Sequence, residues 1–205
     1  EPDWLTNIVA TLVNPEVVGA VGEIKPIANI GLISEFVTQL NPIGSHEIKG
    51  LWYIVTANAA FRRQALLDVG LFNPNLFTGE DVDLGLRLQF GGFGRIEGAK
   101  DAVIRHPFPN NWQELGERFR RYGYSEVLLD TLFRNNPNFM RSPKQQLVQM
   151  LRQIGALFIY LASFILRLAR SIFQKQERRY ITWPLLWAAA EGSNLIGKIY
   201  GIGKT

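Results

Sequence analysis

Residues 78–88 read Thr-Gly-Glu-Asp-Val-Asp-Leu-Gly-Leu-Arg-Leu, an acidic start followed by leucines at helical spacing. The spacing predicts a helix, and Glu80, Asp81 and Asp83 fall in its first turn. Carboxylates suit the positive end of a helix, with Thr78 as a candidate N-cap, so a purely structural role is one explanation. A reaction site is the other explanation, and the flanking sequence decides between the two.

Helices and strands alternate on both sides of this acidic helix. The apolar spacing and the turn residues predict helices over 4–13, 30–40 and 63–69, strands over 17–24, 51–55, 95–97 and 102–105, a polar loop over 41–50, and a helix starting near Asn111. Gly70 is expected to end the third of these helices, and Gly91 and Gly92 to end the acidic one. The alternation indicates the α/β class.

The composition limits the function classes. The chain has 205 residues, a net charge of +4 and no cysteine, which excludes a disulfide framework, a thiolate metal site and a cysteine nucleophile. The positive charge comes without a recognisable nucleic-acid motif, so no nucleic-acid partner is expected. A change in composition near Lys144 divides the chain into a predicted domain over 1–143 and a helical region over 144–205.

Three segments, 55–63, 78–88 and 102–109, together resemble the acceptor half of a family 2 glycosyltransferase with the GT-A fold. The most specific elements are the Gly-Glu-Asp-x-Asp-Leu-Gly-x-Arg run and the later His-Pro-Phe-Pro, and the resemblance covers roughly residues 1–130. It implies the C-terminal portion of a GT-A domain. It also implies an inverting hexosyl transfer from a nucleotide-sugar donor to a hydroxyl of a glycan or lipid acceptor.

The resemblance assigns the general base to Asp81. A carboxylate suits this role because the acceptor hydroxyl becomes acidic as it attacks the anomeric carbon. Glu80 points about 100° away from Asp81 around the helix and is expected to contact donor-sugar hydroxyls or backbone amides. The alternative for Glu80 is a structural role as a carboxylate at the start of the helix. Asp83 and Arg87 are four residues apart, which predicts a structural ion pair.

The resemblance also suggests roles for residues outside the acidic helix. His106 is a candidate contact to a divalent metal or the diphosphate, and Arg118 and Arg121 are candidate diphosphate ligands because guanidinium groups bind phosphate oxygens in pairs. Trp52 and Asn58 are expected near the acceptor. The alternatives are a structural role for His106 and a solvated or lipid-binding basic face for the two arginines. For Trp52 the alternative is a core aromatic, and for Asn58 it is a turn residue.

Outside the acidic helix, the sequence has no Asp-x-Asp run that could hold a nucleotide and its Mn²⁺ or Mg²⁺. The resemblance places that run upstream of Pro2, so we expect the donor-binding half to precede this chain and the chain alone to bind nucleotide sugar poorly. Two other functions stay open. One is a catalytically incomplete glycan- or lipid-binding module, and the other is a helical assembly scaffold.

Polar residues recur every three or four positions from Gln145 to Gln174, and apolar residues fill the rest, which predicts an amphipathic helix. Its charge-free part, 153–166, is shorter than the about 20 residues that span a bilayer. Spanning would also separate the basic residues over 167–179 from a cytoplasmic catalytic domain. We therefore expect a helix lying on the cytoplasmic face of a membrane, with interfacial aromatics over 183–187. The alternative is packing on a second subunit or on the upstream half.

Overall fold

The computed structural model describes residues 2–27, 31–40, 44–48, 50–136, 142–174 and 177–204. The chain divides into two compact units, the first comprising 1–29 and 37–108 and the second 30–36 and 109–205. The first unit mixes helices with a small sheet, which confirms the α/β class. The domain boundary at residues 143/144 stays a prediction.

The first unit is built around a three-stranded sheet. Its elements are α1 Trp4–Thr11, β1 Val17–Pro26, β2 His46–Ile48, β3 Leu51–Tyr53, a 3₁₀ turn Thr56–Asn58, β4 Ala59–Phe61, α3 Arg63–Asp68, α4 Glu80–Phe90 and β5 Arg95–His106. The helix α2, Leu32–Leu40, contributes residues to both units. β1 lies in the centre of the sheet, antiparallel to β4 and parallel to β5, while β2 and β3 form a separate hairpin.

Helices cover both faces of the sheet. On one face Ile8 of α1 packs on Ala20, Ala99 and Ala102. The other face is covered by α3 and α4, through a cluster of Val18, Ala65, Leu84 and Leu88. Gly85 lets α4 approach the segment after β3, because a Cβ there would lie 2.9 Å from Ile54 Cγ1. The core therefore fixes the direction of α4, whose first turn carries the acidic cluster.

Most of the predicted elements are confirmed, but three details were wrong. The predicted loop over 41–50 contains β2, although 41–43 and 49 lie outside the described residues. The two short strands over 95–105 are one strand, β5, with a bulge where the pairing shifts between Gly22 and Glu23. The N-cap of α4 is Gly79, with φ 75°, and not Thr78. A glycine adopts this left-handed conformation without strain.

The second unit is helical. It contains Leu32–Phe36 of α2 together with α5 Trp112–Leu132, α6 Pro143–Phe173 and α7 Arg178–Ile202. α5 and α7 approach closely at glycines, since a Cβ on Gly123 would collide with the Asn194 carbonyl and one on Gly197 with the Arg120 carbonyl. α6 begins with a complete capping box formed by Ser142 and Gln145.

Candidate functional site

The first turn of α4 is fixed by Arg87. Its Nε donates to Asp83 Oδ2 at 2.8 Å, and its two other nitrogens donate to the carbonyls of Val69 and Leu71 at 2.8 and 2.7 Å. Asp83 is buried, and its ion pair with Arg87 confirms the predicted structural contact. One of the three carboxylates is therefore neutralised within the fold, and α4 is tied to the loop after α3.

Asp81 is in a different situation. Its Oδ1 accepts a hydrogen bond from the backbone amide of Val82 at 2.9 Å, and the backbone amide of Thr56 also donates to this carboxylate. Burial raises the pKa of Asp81, and the neighbouring Glu80 carboxylate raises it further, while the backbone hydrogen bonds oppose both. In the part of the chain that the structure describes, neither Asp81 nor Glu80 forms an ion pair.

This arrangement suits proton transfer. A carboxylate with a raised pKa is a stronger base than an ordinary aspartate, and the efficiency of a general base increases as its pKa approaches the working pH. Asp81 is only partly exposed, and it is held by backbone amides, with no compensating cation in the part of the chain that the structure describes. A closed ion pair at Asp81 would have removed it as a candidate, and none is present among the described residues.

Asn58 lies at the end of the turn that faces Asp81, and its amide is fully used inside the fold. Its Oδ1 accepts from Trp4 Nε1 at 2.7 Å, and its Nδ2 donates to the carbonyls of Glu23 at 2.8 Å and Ala102 at 2.7 Å. Asn58 is 1% exposed. The prediction that it contacts the acceptor was wrong, because no polar group of the side chain is left to reach a ligand.

The same contacts give Asn58 a role that the sequence did not reveal. They join the 3₁₀ turn to α1, β1 and β5, and this turn begins with Thr56, whose amide donates to Asp81. Gly22 leaves the space for the amide, because a Cβ there would collide with Asn58 Nδ2. The partners are 35 to 54 residues away in the chain, so no local pattern indicates them.

Trp52 is held by α4. Its backbone N–H donates to Gln89 Oε1 at 2.9 Å, and Gln89 Nε2 donates back to the Trp52 carbonyl at 2.9 Å. The indole ring lies over Gly98 and packs against the cluster of Val21, Ile54 and Ile96, while part of the residue stays exposed. Contact between Trp52 and an acceptor stays a prediction.

His106 and the two arginines lie in different units. His106 ends β5, and its Nδ1 donates to the Pro107 carbonyl at 2.8 Å, which leaves Nε2 as the acceptor of the neutral ring. Arg118 and Arg121 are one turn apart on α5, the first half-buried and the second exposed. In the described ranges, neither guanidinium group has a hydrogen bond or an ion pair with another residue. Their contact with a diphosphate stays a prediction.

A family model described as glycosyl transferase family group 2 matches residues 33–193. The chain belongs to this family. No curated protein and no solved structure matches it at a significant level. The matched segment contains every predicted site residue and continues through α6 into α7, so both units carry sequence typical of group 2 glycosyltransferases. Glycosyl transfer is the general role of this family.

Glycosyltransferases of this family often use a divalent metal ion, which needs several ligands close together in the fold. They contain no group of three or more histidine, cysteine, aspartate or glutamate side chains placed to hold one. His106 Nε2 is a suitable donor but a single one, and Mn²⁺ or Mg²⁺ needs several oxygen or nitrogen ligands. The described residues do not form a metal site by themselves.

Proposed function

We propose that this chain is the acceptor-side portion of an inverting GT-A glycosyltransferase in which Asp81 is the general base. The proposal rests above all on the contrast within the first turn of α4. Asp83 is paired with Arg87, while Asp81 has a raised pKa, two backbone amides that hold it in place and, among the described residues, no cation beside it. A fold that keeps a carboxylate partly buried without a counter-charge provides a proton acceptor.

In the proposed reaction a hydroxyl of a glycan or lipid acceptor attacks the anomeric carbon of a nucleotide sugar, and its proton passes to the Asp81 carboxylate. The new carbon–oxygen bond forms as the bond from the anomeric carbon to the phosphate oxygen breaks, and the leaving nucleoside diphosphate takes that electron pair. A hydroxyl that is held in line with the donor sugar reacts faster, because little translational and rotational entropy remains to be lost in reaching the transition state.

The other residues support this step according to the resemblance. Glu80 contacts hydroxyls of a donor hexose, Trp52 lies under the acceptor, and Arg118 and Arg121 bind oxygens of the departing diphosphate. Guanidinium groups suit that role because the charge on the leaving group grows in the transition state. His106 is proposed to contact the diphosphate or a divalent metal whose remaining ligands lie outside the described residues.

The proposed location is the cytoplasmic face of a membrane. By length and composition, α6 is long and apolar enough to cross a bilayer, and it is the one such helix among the described residues. The sequence argument from the short charge-free segment was therefore wrong, because length alone does not exclude spanning. Attachment along the surface of the bilayer stays the proposal, and its support comes from the packing of α6.

The test of the catalytic proposal is Asp81→Asn in the intact enzyme. We expect turnover to fall by a factor of about 100 to 10,000, the usual contribution of a general base, with donor affinity unchanged. The folded state favours the neutral form of Asp81 because its pKa is raised, so the neutral asparagine should leave the thermal midpoint at pH 7 no lower than in the wild type.

The matched control is Asp101→Asn, the same substitution at an exposed carboxylate of β5. It should leave turnover within twofold of the wild type, about 0.4 kcal/mol in activation free energy. Near-normal turnover of Asp81→Asn, measured beside this control, would remove Asp81 from the proposed role. Loss of donor binding in Asp81→Asn would instead indicate a part in substrate binding.

A further inference from the structure

The surface of α6 that faces away from the protein is apolar. This 31-residue helix has no buried residue. On half of its circumference every side chain is apolar except Lys144 in the first turn. Its exposed members include Leu147, Leu151, Phe158, Ile159, Ile165 and Ile172. A soluble helix normally turns such a surface toward a core. Here it has no cover from the described residues of the chain.

The polar stripe of the same helix faces α7. Gln153 Nε2 donates to Glu191 Oε2 at 2.8 Å and to Asn194 Oδ1 at 3.0 Å. Further along, the Tyr160 ring stacks on Trp187, and Arg167 donates to the Tyr180 carbonyl at 2.8 Å. The stripe is thus used for protein contacts over most of the helix. α6 therefore presents its polar side to the bundle and its apolar side outward.

The helices behind α6 carry charges along their length. α5 runs beside α7, with contacts from Gly116 to Val127, and exposes Glu117, Arg120 and Arg121. At the other end of the helix pair, Arg179 binds Glu35 of α2 at 2.9 Å. If α6 crossed a bilayer, these neighbours would take their charges into hydrocarbon, which costs several kcal/mol for each charge. An orientation in the plane of the membrane avoids this.

The tryptophans expected at the interface take part in packing within the second unit. The rings of Trp183 and Trp187 lie 6.0 and 5.4 Å from the ring of Phe36, edge to face, and Phe36 is buried. Both tryptophans are half-buried, so their contact with lipid stays a prediction. The larger exposed apolar surface belongs to α6.

We propose that α6 lies flat on an anionic bilayer, with its outward apolar face among the acyl chains and α7 covering its polar stripe. Arg152 and Arg170 lie on one edge of that face, about 27 Å apart along the axis, and neither has a partner among the described residues. They are placed to contact lipid phosphates. This deepens the proposed membrane location and does not depend on which residue is the base.

The charge of α6 favours lipid over a second copy of the chain. The helix contains three arginines and one lysine but no aspartate or glutamate. Two identical faces brought together would oppose cations with no acid on either helix to balance them. Anionic phosphates of lipids complement the same charges near a membrane surface.

The experiment measures co-sedimentation of the purified full-length enzyme with vesicles of equal parts phosphatidylethanolamine and phosphatidylglycerol, without donor or acceptor. The test variant is Phe158→Glu with Ile165→Glu, two outward residues of α6. The control is Leu5→Glu with Val9→Glu on α1, which adds the same charge. Ile165 is 63% exposed and Leu5 62% exposed, so the comparison is closely matched.

We expect the α6 variant to bind vesicles about 100-fold more weakly, since each buried apolar side chain contributes roughly tenfold, and the α1 variant to bind like the wild type. Arg152→Gln with Arg170→Gln should weaken binding about tenfold on these vesicles and not on phosphatidylcholine alone. Thermal midpoints of all variants should match that of the wild type, because the substituted side chains are exposed.

Three results would overturn the inference. The first is unchanged vesicle binding of the folded α6 variant. The second is wild-type enzyme that alkaline carbonate does not release from the vesicles, which indicates a spanning helix. The third is a change from dimer to monomer in the α6 variant with vesicle binding intact, which indicates a second copy as the partner. Asp81→Asn should bind vesicles normally, so this test fails or succeeds separately from the catalytic one.

Discussion

Two helical regions of this chain hold partly buried carboxylates in opposite ways. In the first turn of α4, Asp81 accepts hydrogen bonds from backbone amides and has no cation beside it among the described residues. Between α5 and α7, Glu126 binds Lys198 Nζ at 2.9 Å and accepts from Asn194 Nδ2 at 3.3 Å. The charge is balanced inside the protein in the second region and left unbalanced in the first.

The difference indicates which region is structural. Lys198 is 4% exposed, and its ammonium group also donates to Gln153 Oε1 of α6 at 3.2 Å, so it links α5, α6 and α7. A buried cation of this kind is tolerated because its partners are in place. At Asp81 the fold accepts an uncompensated carboxylate, which is the arrangement expected where a proton or substrate arrives from outside.

The largest effect on the first region is expected from Asn58→Ala. The substitution leaves Trp4 Nε1 and the carbonyls of Glu23 and Ala102 without their partner, and the unfolding free energy should fall by about 3 kcal/mol. It also loosens the turn that brings the Thr56 amide to Asp81. Since that bond lowers the pKa of Asp81, the acid limb of the turnover profile should move to higher pH.

Denaturant unfolding and a pH–rate profile measure these two effects separately. Asn75→Ala, at an exposed loop position, is the matched control and should change neither. Trp4→Phe removes one of the three bonds and provides a milder variant if Asn58→Ala does not fold. A stable Trp4→Phe enzyme whose acid limb stays in place would show that the turn does not position Asp81.

The next largest effect tests the balanced region. Lys198→Met should lower the unfolding free energy by about 2 kcal/mol, because Glu126 keeps its charge and loses its cation. The value is smaller than for a fully buried pair, since the Glu126 side chain is 32% exposed. Adding Glu126→Gln should restore part of the loss by removing the unpaired charge. Urea unfolding measures all three proteins, with Lys100→Met as the exposed control.

A further loss on adding Glu126→Gln would contradict this account, because it would mean that the two side chains stabilise the fold independently. Turnover of Lys198→Met at a temperature where it is folded should stay near that of the wild type. A specific loss of turnover there would place part of the chemistry in the second unit and remove the contrast between the two regions.

What the sequence could predict was local. The helical spacing after Glu80 predicted α4, the i, i+4 spacing predicted the Asp83–Arg87 pair, and the stripe pattern predicted α6. These features depend on residues a few positions apart, where backbone geometry alone decides which side chains meet. The resemblance to group 2 glycosyltransferases was carried by similarly short runs.

What the sequence could not predict depends on distant segments. Asn58 looked like a turn residue near a ligand because its partners on α1, β1 and β5 meet it only in the folded sheet. The sequence also did not reveal that Gln153, in the polar stripe of α6, binds α7. Nor did it reveal that the ring of Trp187 stacks on Tyr160. A side chain that has both polar and apolar parts can contact protein, lipid or water, and the tertiary structure decides which of these it meets.

The smallest expected effect is that of Glu80→Gln, which tests the unpaired carboxylate of Asp81 directly. Glu80 raises the pKa of Asp81 through its negative charge, so Glu80→Gln should lower that pKa and move the acid limb of turnover to lower pH. Turnover on the plateau above the acid limb should change little. If Glu80 also contacts the donor sugar, the KM for donor rises independently of the pH shift.

A pH–rate profile of kcat, recorded beside an exposed control such as Glu47→Gln, separates these contributions. The sign is fixed by the like charge: removing a neighbouring anion can only favour the ionised form of Asp81, so a shift to higher pH is not compatible with the geometry of this turn. If the acid limb of Glu80→Gln stays at the wild-type pH, the group that titrates in the profile is not Asp81. That result would contradict the proposal that Asp81 is the general base.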